Sequence, residues 1–422
     1  MNDRPGNIAQ RINSIKPAFQ KVIPKPVRRF GKELYLNSIT RKLVHREILP
    51  YEPTAYPWGV NLIGPVNSPT GLGQSFRLLA NMIEQTKIPY RVYDYDPDGK
   101  PEGQQAFQPQ EFGESLYYSV NIWHVNPSYF AQTFALLGQK CFDRRYNIAY
   151  WLWELEEFPE EWIPCIYLLN EIWTPSGFIS RGIRKITEKP VRTVPYYVTE
   201  PVCEKDCDRK FFGLPENRFL FLMMYDARSI RERKNPEGAI QAFQHAFHED
   251  DLNVGLVIKV NYADQKERAW LKDQIGAYQN IDIYDRNLEK KQVNSLIACV
   301  DAFVSLHRAE GFGLVIAEAM LKHVPVIATD WSANTEFMDS ESSCMVGCKL
   351  TKLEKNIFPY KKGNRWAEPD LEEAAGYMRR LASDKAYYND KAQRGYLRVQ
   401  EKLGKEAAAM TMKRYLEENA KQ

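Results

Sequence analysis

The stretch from Asp301 to Asp330, DAFVSLHRAEGFGLVIAEAMLKHVPVIATD, reads as strand, tight loop, helix and strand. Asp301 to His307 is short, apolar and β-branched, and a loop carrying Gly311 and Gly313 turns it into a helix ending near Lys322 and His323. Cations at that end suit the negative pole of a helix. Val324 to Asp330 is apolar again, as expected of a parallel strand covered on both faces. The segment therefore predicts a βαβ unit, and with it an α/β fold.

A glycine-bearing loop that opens a helix leaves backbone N–H groups unpaired, with the positive end of the dipole behind them. Such a place favours phosphate or the hydroxyl-rich face of a sugar. Glu310 in the loop and Glu318 in the helix bracket it. A bare phosphate gains nothing from carboxylates nearby, whereas ribose and hexose hydroxyls can donate to them. The pattern thus points to a sugar nucleotide. A buried βαβ unit with two solvated glutamates is the plainer alternative for the residues EGFG alone.

Working outward, strands are expected at 218–226, 253–261 and 281–287 before this unit. An earlier series is expected at 58–66, 90–96, 119–125, 146–154 and 171–176, with helical stretches between. The break VTEPVCEKDCDRKFFGLPEN, residues 198–217, suggests a linker. Two successive βα arrays predict twin Rossmann-like parallel-sheet domains facing across a cleft, the default binding place. The expected division is a basic extension over 1–50, an N-terminal domain over 51–205, a C-terminal domain over 206–399 and a final helix over 400–422.

Several residues stand where ligands of such sheets gather, at the carboxyl ends of strands. After the first strand, NSPTGLG brings Gly71 and Gly73 to a strand-to-helix turn. His124 and Asn126 end one strand, Trp153 and Glu154 another. In WLWELEEFPEEW, Glu160 and Glu161 follow Pro159 as a helix start complementing its dipole, which leaves Glu154 as an acceptor-side candidate. Past 218–226 comes ARSIRERKNPEG, whose basic residues precede a helix beginning at Asn235 and Pro236, a place where cations meet a diphosphate.

The run SLHR (Ser305 to Arg308), Glu310 and Glu318 separated by seven residues that include Gly311, Phe312 and Gly313, and DWSANTEFM (Asp330 to Met338) together resemble the donor-site signature of retaining glycosyltransferases of family 4, the glycosyl transferases group 1. That resemblance, over about residues 58 to 340, implies a GT-B fold whose last helix crosses back to the N-terminal domain. It implies transfer of a hexose from a nucleotide diphosphate sugar to a glycan or glycolipid hydroxyl with retention of configuration, without an essential metal or other cofactor. By the same resemblance Lys234 binds the diphosphate, Gly313 and Leu314 offer it backbone amides, Glu318 takes ribose hydroxyls and Glu310 holds the donor sugar. His124 contacts that sugar from the other domain, and Gly71 and Gly73 face the donor. The family often has an arginine five residues before the lysine, where this chain has Ser229. Arg228, Arg231 and Arg233 are the candidate substitutes, with Arg231 read as a solvated surface charge. Two rivals are a silent nucleotide-sugar-binding subunit and a glycoside phosphorylase on the same layout. A NAD enzyme fits less well, since neither loop completes GxGxxG.

Composition sets the outer bounds. The chain has 422 residues and a net charge of +3, which implies no nucleic-acid partner. No apolar run approaches the ~20 residues of a membrane span, and MNDRPGNIAQ lacks the apolar core of a signal peptide, so a cytoplasmic protein is expected. Seven cysteines read as reduced thiols, and neither Cys203/Cys207 nor Cys344/Cys348 has zinc spacing. Between Arg4 and Arg46 stand eleven Lys or Arg, against Asp3 and Glu33. This fits a loosely packed basic extension or an arm resting on an anionic membrane surface at its inner face, which would suit envelope or exopolysaccharide assembly.

Overall fold

The computed structural model describes Ser38 and residues 47–68, 70–97 and 116–419. Most of the basic extension, and with it the expected membrane contact, lies outside these residues. The described chain divides into two compact units, one of residues 47–152, 157–197 and 406–419, the other of residues 153–156 and 198–405.

The first unit is built on a six-stranded sheet in the order β2-β1-β3-β4-β5-β6. Its strands are β1 (Val60–Gly64), β2 (Tyr90–Asp94), β3 (Val120–Trp123), β4 (Tyr146–Tyr150), β5 (Glu171–Thr174) and β6 (Val191–Thr193). Every pairing is parallel. β1, β3, β4 and β5 are buried along their length, so they are largely apolar on both faces, with Asn61, Asn121, Asn147 and Glu171 as buried polar exceptions. Helices α1 (Gly71–Thr86), α2 (Pro127–Leu137) and α3 (Gly177–Arg184) connect the strands. Expected acidic capping at Glu160 and Glu161 is found at the start of a 3-10 helix, Glu160–Leu168. β6 was not foreseen; only three residues long, it is too short to carry a pattern.

The second unit has its own six-stranded sheet, β12-β11-β10-β7-β8-β9, again parallel throughout. Its strands are β7 (Phe219–Asp226), β8 (Val254–Asn261), β9 (Ile281–Tyr284), β10 (Ala302–Ser305), β11 (Val326–Thr329) and β12 (Cys344–Val346). Short helices α4 (Arg209–Phe212) and α5 (Arg231–Lys234) are followed by α6 (Pro236–Ala246), α7 (Gln265–Ile275), α8 (Lys290–Ala298) and α9 (Leu314–Leu321). Phe221, Ile258, Val304, Phe243 and Met378 meet in one apolar core under this sheet. An antiparallel ribbon of β13 (Cys348–Lys352) and β14 (Arg365–Pro369) precedes α10 (Leu371–Ser383) and α11 (Lys385–Leu403).

The stretch expected as a linker belongs to the second unit from Val198 onward and forms α4 within it. The closing helix α12 (Lys405–Asn419) lies with the first unit from residue 406. There Arg192 joins buried Glu171 at 2.6 Å to Glu418 at 2.5 Å and lies over the ring of Tyr415. No helix among the described residues is long and apolar enough to cross a membrane.

Candidate functional site

Strand order fixes where a ligand can approach the second sheet. From β7 the chain adds β8 and β9 on one side, then returns to add β10 on the other. The loops leaving β7 and β10 therefore diverge at a switch point and open a crevice at the carboxyl ends of the strands. Lys234 lies on the first of these loops and Glu310 on the second.

The two loops are tied together by their backbones. Asn235 adopts the left-handed region (φ 54°), accepts from the Gly238 amide at 3.1 Å to cap α6, and donates Nδ2 to the Leu306 carbonyl at 2.8 Å. Arg308 N–H donates to the Arg233 carbonyl at 2.8 Å. The amide of Glu310 donates to Ser332 Oγ at 2.9 Å, and Ala333 N–H donates to the Glu310 carbonyl at 3.2 Å. Both side chains are thus aimed by fixed backbone.

Lys234 Nζ lies 2.5 Å from Glu310 Oε2, and Arg233 Nη1 lies 3.4 Å from the same oxygen. Arg233 also donates to the Ala309 carbonyl at 3.0 Å and to Ser229 Oγ at 3.3 Å, and stands 3.9 Å from Glu154. Burial by itself would raise the Glu310 carboxyl; Lys234, then Arg233 and His307, override it and hold it down at about 2. For the Arg233 guanidinium burial works the other way, yet Tyr360, Glu154 and Glu310 keep it firmly charged.

The three candidate arginines separate cleanly. Arg228 pairs with Asp226 at 2.8 Å and lies over the Tyr262 ring. Arg231 pairs with Glu267 at 3.0 Å and lies over Trp270. Arg233 alone of the three joins the cluster of Lys234 and Glu310, and its guanidinium reaches the hydroxyl of Ser229.

Gly313 caps α9 with φ +95°, a conformation that disfavours any residue with a Cβ. Since Gly313 has no side chain to cap with, the first-turn amides beginning at Leu314 keep their anion-receiving character. A Cβ on Gly311 would stand 2.8 Å from the Trp153 carbonyl, and Phe312 is buried against Phe337. One turn into α9, Glu318 is buried and its Oε1 lies 2.6 Å from Lys290 Nζ.

Trp153 and Glu154 also belong to this unit. Tyr360, from the loop of the β13–β14 ribbon, packs edge-on against Trp153 and donates to Glu154 Oε2 at 3.1 Å. Glu154 is therefore placed to steady Arg233 rather than standing alone at a strand end.

In the first unit, the Gly71 and Gly73 turn opens α1 at the corresponding switch point, between β1 and β3. Thr70 Oγ1 accepts from the Gly73 amide at 3.3 Å. Asn126 precedes α2, and its Oδ1 is buried without a partner among the described residues. The His124 ring, expected to contact a donor sugar, is fully buried, hydrogen-bonded to Ser75 Oγ at 2.6 Å and stacked on Tyr150, and its Nδ1 has no hydrogen-bond partner among the described residues. Its backbone N–H still extends the β3 ladder to the Ile63 carbonyl, so its side chain follows the strand into the core.

Sequence reasoning did not single out Ser332, Tyr360 or Lys290. Ser332 lies in the quoted stretch DWSANTEFM, which could have flagged it; Tyr360 and Lys290 lie outside any motif. The cysteines are all free, His245 pairs with Glu372 and His248 with Asp250. Among the described residues no cluster of His, Cys, Asp or Glu is arranged to hold a metal ion.

Twin parallel sheets with charged loops at a switch point define a glycosyltransferase-type GT-B fold, and comparison with known proteins agrees. Residues 204–346 match the family described as glycosyl transferases group 1. No curated protein matches the chain. Among solved structures, Anabaena HepE in complex with UDP and glucose is 14% identical, with TM-score 0.58, covering 86% of this chain and 100% of that one. The sucrose-phosphate synthase of Thermosynechococcus elongatus is 15% identical, with TM-score 0.60, covering 86% and 98%. A glycosyltransferase from Rickettsia africae is 10% identical, with TM-score 0.59 and the same coverage.

Proposed function

We propose that this protein transfers a hexose from a nucleotide diphosphate sugar to a glycan or glycolipid hydroxyl, with retention of configuration and without an essential metal, in envelope or exopolysaccharide assembly. The observation that carries this reading is the cluster of Lys234, Arg233 and Glu310 at the β7/β10 switch point, beside the glycine-capped start of α9. Phosphate oxygens suit the cations and the amides; sugar hydroxyls suit the carboxylate.

Each group has a task in that reaction. As the bond from the anomeric carbon to the diphosphate breaks, Lys234, Arg233 and the amides after Gly313 neutralise the charge gathering on the leaving group. Glu310, ionised through the ordinary pH range, accepts from donor-sugar hydroxyls and orients the anomeric carbon. Glu318 accepts from the ribose. The acceptor hydroxyl attacks on the face the diphosphate leaves, and a phosphate oxygen takes its proton. Bound UDP in HepE supports a nucleotide donor, and the match of residues 204–346 supports transferase chemistry.

Thermal stabilisation by UDP-, GDP-, ADP- and dTDP-sugars, on wild type and Glu310→Ala, tests the reading. A ligand of the native state raises the melting temperature in proportion to affinity and concentration. One nucleotide sugar should stabilise wild type, and its increment over the bare diphosphate should vanish in the variant. A panel that shifts neither protein would remove the main support and favour a phosphorylase, whereas stabilisation by a nucleotide sugar without turnover on any acceptor would favour a silent subunit.

A further inference from the structure

Glu318 offers its two oxygens unequally. Its side chain is buried in α9, and Oε2 has neither accessible surface nor a hydrogen-bond partner among the described residues. Oε1 carries the ammonium of Lys290 at 2.6 Å. Lys290 is the first residue of α8, and its side chain is 36% exposed, so its ammonium can swing outward while Glu318 cannot. A hydroxyl approaching Glu318 therefore arrives at an oxygen already occupied by a cation.

We infer that Lys290 is a specificity-determining residue at the ribose subsite, a resident counter-ion with which the ribose hydroxyls compete for Glu318. The inference rests on the reading of Glu318 as the ribose carboxylate. Its physical basis is that the worth of a hydroxyl contact here is a difference. A ribose hydroxyl gains a bond to a carboxylate, which is stronger than one between neutral groups. Against that gain stands the weakening of a short, half-shielded ion pair. Lys290 thereby lowers the protein's discrimination between ribose and deoxyribose, while keeping a buried carboxylate from standing uncompensated in the free protein. With Lys290 gone, an unpaired carboxylate would gain far more from the same hydroxyl.

Calorimetric titration of the full chain with UDP, ADP and GDP, each beside its 2′-deoxy and 3′-deoxy forms, tests this on wild type, Lys290→Met and Lys290→Arg. The ratio of affinities for the ribo and deoxy forms should rise by about tenfold to a hundredfold in Lys290→Met, the scale of one hydrogen bond to a charged group. Lys290→Arg should keep the wild-type ratio within about twofold, because a cation still sits on Oε1. Lys290→Gln, neutral and polar, gives the same comparison should the Met variant fold poorly. A ratio that stays level or falls on loss of the charge overturns the inference, even where the diphosphate itself binds well. Failure of all three diphosphates to bind wild type would instead sink the nucleotide-sugar reading beneath it.

Discussion

Lys234 and Glu310 belong to different loops of one sheet, yet Lys234 Nζ and Glu310 Oε2 lie 2.5 Å apart. Neither loop would hold its charge so close to the other without the backbone ties through Asn235, Arg233 and Ser332. The pair leaves each group positioned before a donor arrives, which is what electrostatic preorganisation demands. Lys234→Ala should lower kcat/KM by about 10²–10³-fold, the usual effect of removing one preorganised charge donor. The loss should appear chiefly in kcat if Lys234 meets the leaving diphosphate, and a loss confined to KM would assign it to ground-state binding instead.

Removing Arg233 should differ sharply from removing its neighbours. Arg233 is buried among Glu310, Glu154, Ser229 and the Ala309 carbonyl, so Arg233→Lys keeps a charge but loses the planar fork that reaches them. We expect a ten-fold or greater drop in diphosphate affinity there, on the scale of losing one charged hydrogen bond. Arg228→Ala and Arg231→Ala, whose partners Asp226 and Glu267 engage them elsewhere, should stay within about threefold of wild type. Equal losses at all three positions would show that total charge matters rather than this one guanidinium.

What could be read from the chain and what could not divide along physical lines. Ten of the twelve strands described in the two six-stranded sheets were legible because buried parallel strands are largely apolar between glycine or polar turns. β6 and β12, three residues each, were too short to carry a pattern. Glu310, Glu318 and Lys234 were found because they lie in motif-bearing loops. The choice among three arginines was invisible, since it depends on where each guanidinium turns. The direction of the His124 side chain was unreadable for a related reason: a residue just past a strand's end can face solvent or core, and only neighbours such as Ser75 and Tyr150 decide. Lys290 gave no signal, because its partner is 28 residues away in sequence and becomes close only through the packing of α8 beside α9.

The two glycines of the first-unit turn should answer differently to the same change. A Cβ on Gly73 would stand 2.1 Å from the Ser68 carbonyl oxygen, inside the turn that opens α1, while one on Gly71 meets nothing within 4 Å. Gly73→Ala should therefore destabilise by roughly 1–3 kcal/mol through forced backbone displacement, as overpacking does. Gly71→Ala should leave denaturant stability within about 0.5 kcal/mol. If Gly71→Ala nevertheless weakens donor binding, the open face of that turn approaches the ligand; unchanged binding would make Gly71 a plain turn residue.

A pH window follows from the burial of His124. Burial lowers its pKa to about 4, against 6.5 for the exposed side chain. The unfolded chain therefore takes up a proton as pH falls through 6.5, while the folded state resists it until about 4. Stability attributable to the neutral ring is complete above pH 6.5, drains away between 6.5 and 4, and changes no further below that. The shift corresponds to a loss on the order of 3 kcal/mol across the window. His124→Gln, which cannot titrate, should be less stable than wild type at pH 7.5 but lose less of its stability on acidification. Glu310 acts lower on the scale: its stabilising ion pair is intact above pH 4.5 and fails only as pH approaches 2, so it leaves the interval from 6.5 to 5 to the histidine. Chemical denaturation of both proteins at half-unit steps from pH 7.5 to 5 would separate the two slopes. Parallel slopes would mean that the ring takes its proton in the folded protein, and hence that His124 opens to solvent as a sugar-facing residue must.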